Sequence, residues 1–257
     1  MKRTLLASTA LAFLAVPAFA ADLPSSEPAP APQTYTAPPV FTWTGFYAGV
    51  NVGWNQNEMD VRNRGFTGTG GAGSYNPFSA KNSGFIGGFQ VGYNQQFDMF
   101  VAGVEADLNY LGNRRVTGSA NVAGLPGVIT GVQGSSRLDW LGTLRARAGV
   151  AMDNVFVYGT GGLAFGNPDQ RLTLTDAAGT VTHSGTKDDT RFGWTIGAGA
   201  EIAVMDNLSF KAEYLYYDLG RNTVRANATA AGPAGTANSA RFENNGHIVR
   251  AGMNYRF

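Results

Sequence analysis

From residue 44 to the C-terminus, apolar side chains return at every second position, in eight segments separated by polar or glycine-rich stretches. A period of two marks a strand with one apolar face. In 44–56, Phe46, Ala48, Val50, Val52 and Trp54 share one face, and Tyr47, Gly49, Asn51, Gly53 and Asn55 share the other. The same alternation sets Phe85, Phe89, Val91 and Tyr93 against Gln90, Asn94 and Gln96 in 84–97, and Phe100, Val104, Ala106, Leu108 and Tyr110 against Glu105, Asp107 and Asn109 in 100–111. In 138–152, Trp140, Leu144, Ala146, Ala148, Val150 and Met152 oppose Thr143, Arg145 and Arg147; in 155–166, Val157, Leu163 and Phe165 oppose Tyr158 and Thr160. Segment 191–204 places Phe192, Trp194, Ile196, Ala198 and Ile202 opposite Thr195 and Glu201, and 208–217 places Leu208, Phe210, Ala212, Tyr214 and Tyr216 opposite Lys211 and Glu213. The last segment, 248–257, opposes Val249, Ala251, Met253, Tyr255 and Phe257 to Arg250, Asn254 and Arg256.

The apolar faces carry no charge, whereas the opposite faces carry Glu105, Asp107, Arg145, Arg147, Glu201, Lys211, Glu213, Arg250 and Arg256. A water-soluble barrel would turn its apolar face inward. Here that would crowd Phe, Trp, Tyr, Val and Ile from eight strands into one narrow interior. Turned outward, the apolar face meets lipid, and the charges pair inside. Inward glycines, among them Gly49, Gly53, Gly88, Gly92, Gly103, Gly162, Gly197, Gly199 and Gly252, then leave room for arginine and tyrosine. The predicted fold is all-β: an eight-stranded antiparallel up-and-down transmembrane barrel.

The connections alternate in length: 57–83 long, 98–99 short, 112–137 long, 153–154 short, 167–190 long, 205–207 short and 218–247 long. Outer-membrane barrels have short periplasmic turns and long extracellular loops, so both termini are expected in the periplasm. Pro77, Pro126, Pro168 and Pro233 fall in the expected loops, as ladder hydrogen bonding requires. Trp54, Phe85, Tyr110, Trp140, Phe192, Trp194 and Tyr214 form an outer aromatic row, with Phe46, Phe97, Phe100, Phe210, Tyr255 and Phe257 as the inner one. Ala198 and Val150 are expected near mid-membrane.

Before the barrel, Met1-Lys2-Arg3, an apolar stretch over 5–16 and Ala18-Phe19-Ala20 read as a signal peptide at 1–20. Residues 21–43, with Pro24, Pro28, Pro30, Pro32, Pro38 and Pro39, read as a Pro-rich periplasmic tether, leaving 44–257 as the barrel. Nineteen basic residues against 18 acidic give no broad electrostatic claim on nucleic acid. The absence of cysteine closes off disulfides and thiolate chemistry.

Little else invites chemistry. His183 and His247 have no neighbouring ligand and read as solvated loop residues. A hydrolase would need His247 to meet Asp218 or Asp188 and a loop serine at the outer rim. The G-x-G-x-x-G pattern at 68–73 lacks the strand and helix that a phosphate-binding loop requires. No catalytic residue, metal ligand or cofactor residue is assigned. Eight strands enclose just enough space for side chains, so the charges read as a network filling the lumen; the alternative is a narrow small-solute channel.

Trp43-Thr44-Gly45-Phe46-Tyr47-Ala48-Gly49, Trp140-Leu141-Gly142-Thr143-Leu144-Arg145-Ala146-Arg147, Lys211-Ala212-Glu213-Tyr214-Leu215-Tyr216 and the ending 249–257 resemble the small alphaproteobacterial outer-membrane proteins called porin-family or outer-membrane immunogenic proteins. The resemblance implies an OmpA-like barrel in the outer membrane of a Gram-negative cell. It implies a surface antigen structural for the envelope, in contact with membrane lipid and lipopolysaccharide, and in some relatives binding haem or host components through its loops. Phe257, preceded at alternate positions by Tyr255 and Met253, looks like the C-terminal sorting signal read by barrel-insertion machinery. The sequence departs from a full OmpA-like protein in ending at Phe257, so the resemblance brings no peptidoglycan-binding domain with it.

Overall fold

A computed structural model describes residues 41–67, 74–112, 114–123 and 129–257. The expected signal peptide, the tether up to residue 40 and the glycine pattern at 68–73 lie outside the described residues. The strands are β1 (Gly45–Thr67), β2 (Ser74–Tyr75), β3 (Phe78–Phe97), β4 (Phe100–Leu111), β5 (Val116–Ala123), β6 (Gly131–Met152), β7 (Val155–Thr175), β8 (Val181–Asp188), β9 (Arg191–Met205), β10 (Leu208–Ala228) and β11 (Ala237–Arg256). Among the described residues there is no helix.

Antiparallel pairing runs β1–β3–β4–β6–β7–β9–β10–β11 and returns to β1, closing an eight-stranded ring. The alternation predicts this ring. At its upper end β5 takes over from β4 on β6, and β8 takes over from β9 on β7. Two of the short turns place an aspartate in the left-handed region, Asp98 at φ 56° and Asp153 at φ 52°, which aspartate tolerates. We call this the turn end and its opposite the far end.

Outward side chains of the lower half are exposed and apolar, among them Phe89, Val91, Leu108, Leu144, Leu163 and Ile196. Exposed aromatic rows bound this band, with Trp54, Phe85, Tyr110 and Phe192 on the far side and Phe46, Phe97, Phe100 and Phe257 on the turn side. Crossing a bilayer takes about 9–11 strand residues. β1 has 23, so roughly half of it projects beyond the apolar band.

That projection corrects the sequence reading, which took 57–83, 112–137, 167–190 and 218–247 as loops. Most of those residues continue the strands, with the inside and outside polarities exchanged. On β1, inward Asn51 and Asn55 give way to buried Met59 and Val61, while Glu58, Asp60 and Arg62 turn outward. Above the lipid the outside is water, so the interior becomes an ordinary apolar core: Met59, Val61, Val116, Ile129, Val132, Leu172, Leu174, Val224 and Phe242 pack together there. A second apolar layer, with Ile86, Leu111, Leu138, Leu141, Leu215, Tyr217 and Ile248, lies below it. At the turn end a third holds Trp43, Val101, Ala151, Phe156, Tyr158 and Ala203.

Smaller corrections follow from the same geometry. Pro168 is in β7, not a loop, opposite Leu138 where β6 bulges and where the other neighbour of β7 changes from β9 to β8; a missing N–H is tolerated at such a break. Val150 pairs with Phe100 and Val157 beside the turn, so it sits near the membrane edge, whereas Ala198 lies midway along β9. Trp43, expected at the end of the tether, is buried in the barrel mouth against Phe41 and Phe156, at ring separations of 5.2 and 5.4 Å.

Candidate functional site

Charged side chains converge inside the membrane-crossing half. Strand register supplies the first pairings, because Glu105 on β4 is opposite Arg145 on β6, Glu201 on β9 opposite Lys211 on β10, and Glu213 on β10 opposite Arg250 on β11. Long side chains then cross the lumen. Arg145 donates through Nη2 to Glu105 Oε1 at 2.5 Å and Asp107 Oδ2 at 2.9 Å, and through Nη1 to Glu213 Oε1 at 2.9 Å. Arg250 donates through Nε to Glu213 Oε2 at 2.8 Å and through Nη2 to Asp107 Oδ2 at 3.2 Å. Lys211 Nζ lies 2.9 Å from both oxygens of Glu105, and Arg147 joins Glu105 to Glu201 at 3.3 Å each.

Neutral groups complete the set. The Tyr47 and Tyr158 hydroxyls donate to Glu105 (2.8 Å) and Glu213 (3.1 Å). Thr143 and Asn109 donate to Asp107, and Ser209 and Asn254 donate to Glu201. The Arg147 guanidinium lies 4.6, 5.4 and 5.0 Å from the ring centres of Tyr47, Phe156 and Tyr158, which adds cation–π attraction. Each of the four carboxylates thus accepts from at least three donors. Gly92 makes room for one of these contacts, since a Cβ there would lie 2.2 Å from the Tyr47 hydroxyl.

Of the nine charges expected inside, the structure brings eight together: Glu105, Asp107, Glu201 and Glu213 with Arg145, Arg147, Lys211 and Arg250, a balance of four against four. Arg256 is the exception. It stays at the turn-end mouth, 4.4 Å over the Phe41 ring, and donates to the Asp206 carbonyl at 2.5 Å. Asn254 occupies the row between it and Glu201 and bonds that carboxylate instead. Sequence reasoning did not single out Tyr47, Tyr158 or Ser209 as partners, although all three stand at inward positions of their strands. Met253, Tyr255 and Phe257 all point outward and are exposed at the end of β11.

Both histidines lie in strands, which corrects their reading as solvated loop residues. His183 on β8 is fully buried, its Nδ1 3.2 Å from Thr182 Oγ1 and its Nε2 2.8 Å from Thr236 Oγ1. Burial holds it below the usual histidine pKa. His247 on β11 lies in the far aromatic row, with Nδ1 2.7 Å from the Tyr214 hydroxyl, while Asp218 accepts from the Gly220 amide. These bonds are not those of a hydrolytic triad. Among the described residues, no three His, Asp or Glu side chains gather as metal ligands.

Residues 6–257 match the family described as the outer membrane protein beta-barrel domain. The chain is 39% identical over 264 aligned positions to the 31 kDa outer-membrane immunogenic protein of Brucella melitensis, with 100% of both chains covered. It is 30% identical to the 25 kDa outer-membrane immunogenic protein of Brucella abortus, covering 88% of this chain and 91% of that one. The 22 kDa outer membrane protein of Rhizobium leguminosarum is 32% identical, over 70% of this chain and 66% of its own.

Proposed function

This chain belongs to the outer-membrane β-barrel family, and from that premise we propose that it is a non-catalytic structural barrel of the outer membrane, its lumen filled by side chains and its far-end strands displayed at the cell surface. The observation that carries the reading is Arg145. Its side chain has 0% exposure and bonds Glu105, Asp107 and Glu213 at once, with Leu141 and Leu215 in an apolar layer above and Phe156 and Trp43 in another below. Water entering such a column would have to separate ion pairs that have no bulk solvent to receive them. Eight strands leave no further width for a side path.

The remaining features take their places around this core. Residues 1–20 serve as the export signal, 21–40 as the tether, and both termini face the periplasm. Met253, Tyr255 and Phe257 present the sorting signal to the insertion machinery. A liposome-swelling assay with small sugars and amino acids tests the reading, which expects rates equal to those of protein-free vesicles. Swelling that falls with solute size would support a narrow channel instead, and a saturable Soret shift on haem titration would support a receptor.

A further inference from the structure

Above the lipid the barrel wall is not laddered all the way round. β3 and β4 pair only as far as Ile86 opposite Leu111, with one last bond from the Gly112 amide to the Phe85 carbonyl at 2.8 Å. β5 then replaces β4 on β6, from Val116 opposite Ser136 to Asn121 opposite Gly131. Among the described residues no ladder pairing joins β5 to β3. The Asn82 side chain, donating to the Arg114 carbonyl at 2.6 Å, bridges the foot of this seam.

Alternate residues of an antiparallel strand turn both backbone groups toward the same neighbour. The Phe85 carbonyl faces away from β1, so Ser83, Lys81 and Ser79 do too, because β1 and β3 keep one register from Phe85 to Phe78. The Val122 amide bonds the Thr130 carbonyl on the β6 side at 3.0 Å, so Thr117, Ser119 and Asn121 face away from β6. Two strand edges, each about 13 Å long, thus look across the seam with their ladder groups unpaired. All six side chains are exposed. Water tolerates such edges, whereas lipid would not.

The chain itself shows what this edge accepts. At its top β2 adds to β5 antiparallel, opposite Ala123 and Val122, with Ser74 exposed and Tyr75 buried in the apolar core. Below β2 the same edge runs on from Asn121 to Thr117 without the proline, charge or bulge that usually guards one. The inner side of the seam is apolar: Phe78 and Ala80 lie so close to Gly118 that a Cβ there would stand 2.7 Å from the Phe78 ring. Charges of both signs flank the seam in close pairs, Lys81 with Glu58, Arg115 with Asp169 and Arg137 with Asp139, with Arg114 at the foot. Selection there falls to backbone and shape more than to charge.

We propose that the seam binds an extended peptide segment of a partner protein as a guest strand, antiparallel to β5 below β2. Its small hydroxyl side chains point outward and its apolar ones inward, as Ser74 and Tyr75 do. Main-chain bonds to Thr117, Ser119 and Asn121 supply the affinity, and the alternation supplies the selection. Entry lifts Phe78 from Gly118 and lets Ser79, Lys81 and Ser83 close on the other edge of the guest. The proposal is independent of whether the lumen conducts.

The test uses the folded, full-length barrel in nanodiscs and a labelled, blocked peptide alternating threonine and valine, read by fluorescence anisotropy. Saturable binding is expected, lost when alternate backbone nitrogens of the peptide are methylated and weakened when its valines are replaced by glycine. Ser119→Pro removes a donor that faces the seam and none that faces β6. It should weaken binding about tenfold while heat-modifiable gel migration is kept, and Ser119→Ala should bind as the unmodified protein does. Hydrogen exchange needs no substitution: without peptide the Ser119 and Asn121 amides should exchange much faster than those of Ala120 and Val122, and the peptide should slow them. Failure of the peptide to bind, equal binding of its N-methylated form, or Ser119 and Asn121 amides already protected in the free barrel would overturn the proposal. So would cross-linking of two copies through β5 that the peptide does not diminish.

Discussion

Arg145→Ala is the most informative single change, because so many lumen contacts pass through this side chain. It donates to Glu105, Asp107 and Glu213, and also to Thr143 Oγ1 at 2.9 Å, with no exposure to solvent. Its removal leaves Glu105, Asp107, Glu201 and Glu213 facing only Arg147, Lys211 and Arg250. At about 4 Å and an effective dielectric of 20, one lost pair is worth about 4 kcal/mol. Release of the arginine from its own desolvation offsets part of this, while repulsion among the stranded carboxylates adds to it. The net expectation is the range for a broken buried pair, about 3–5 kcal/mol. Urea titration of the barrel in lipid vesicles, followed by tryptophan fluorescence and heat-modifiable gel migration, measures it. Arg145→Met combined with Glu213→Met should recover part of the loss by removing charges of both signs. An unchanged unfolding midpoint in Arg145→Ala, together with a shift in ion selectivity, would refute the reasoning and point to a wet pore.

Ala198→Arg, at mid-membrane on the outward face, should cost about 2–4 kcal/mol in the same titration, whereas Val150→Arg, beside the turn, should cost only about 0–1 kcal/mol; equal costs would mean the membrane band is misplaced. Trp43→Ala should destabilise the barrel by about 3–5 kcal/mol if its packing at the mouth is as tight as its burial implies, and a change below about 1 kcal/mol would return Trp43 to the tether. The folded pKa of His183 lies below its unfolded value of about 6.5, so the unfolded chain takes up the proton first as pH falls. Far-end stability should therefore be flat above that pH and decline below it. Hydrogen exchange at the Thr229 amide, which bonds the Thr182 carbonyl, should speed up below pH 6 beyond its intrinsic pH dependence, and His183→Asn should remove that excess.

The lower half of the barrel was legible because lipid and lumen impose opposite polarities on alternate residues. Phe46 to Trp54 and Tyr47 to Asn55 are separated as cleanly in the chain as on the two faces of β1. The upper half was not read, although it too has period two. Glu58, Asp60 and Arg62 alternate with Met59 and Val61, but with charge outward and apolar groups inward, as water outside demands. A search that keeps lipid-facing polarity throughout stops at that inversion. On β10 and β6, bulges near Asp218 and Leu138 also shift the inward parity by one, which hides the continuation further. Within the lumen, the sequence shows which face each charge occupies. It does not show that Arg145 reaches across to Glu213, because that contact depends on the barrel closing and on how far each side chain extends. Arg256 illustrates the limit: its parity is that of Arg250, yet its position one row beyond Asn254 takes it out of the network.

The closed lumen is the central claim, and single-barrel current across a planar bilayer tests it most directly. Purified, fully folded protein at high salt should give no sustained conductance above the bare membrane, because on the proposed reading the Arg145 and Arg250 cluster and the apolar layers on either side close the lumen to water. Steady, ion-selective current steps in the unmodified protein, altered in size or selectivity by Arg145→Ala, would contradict it.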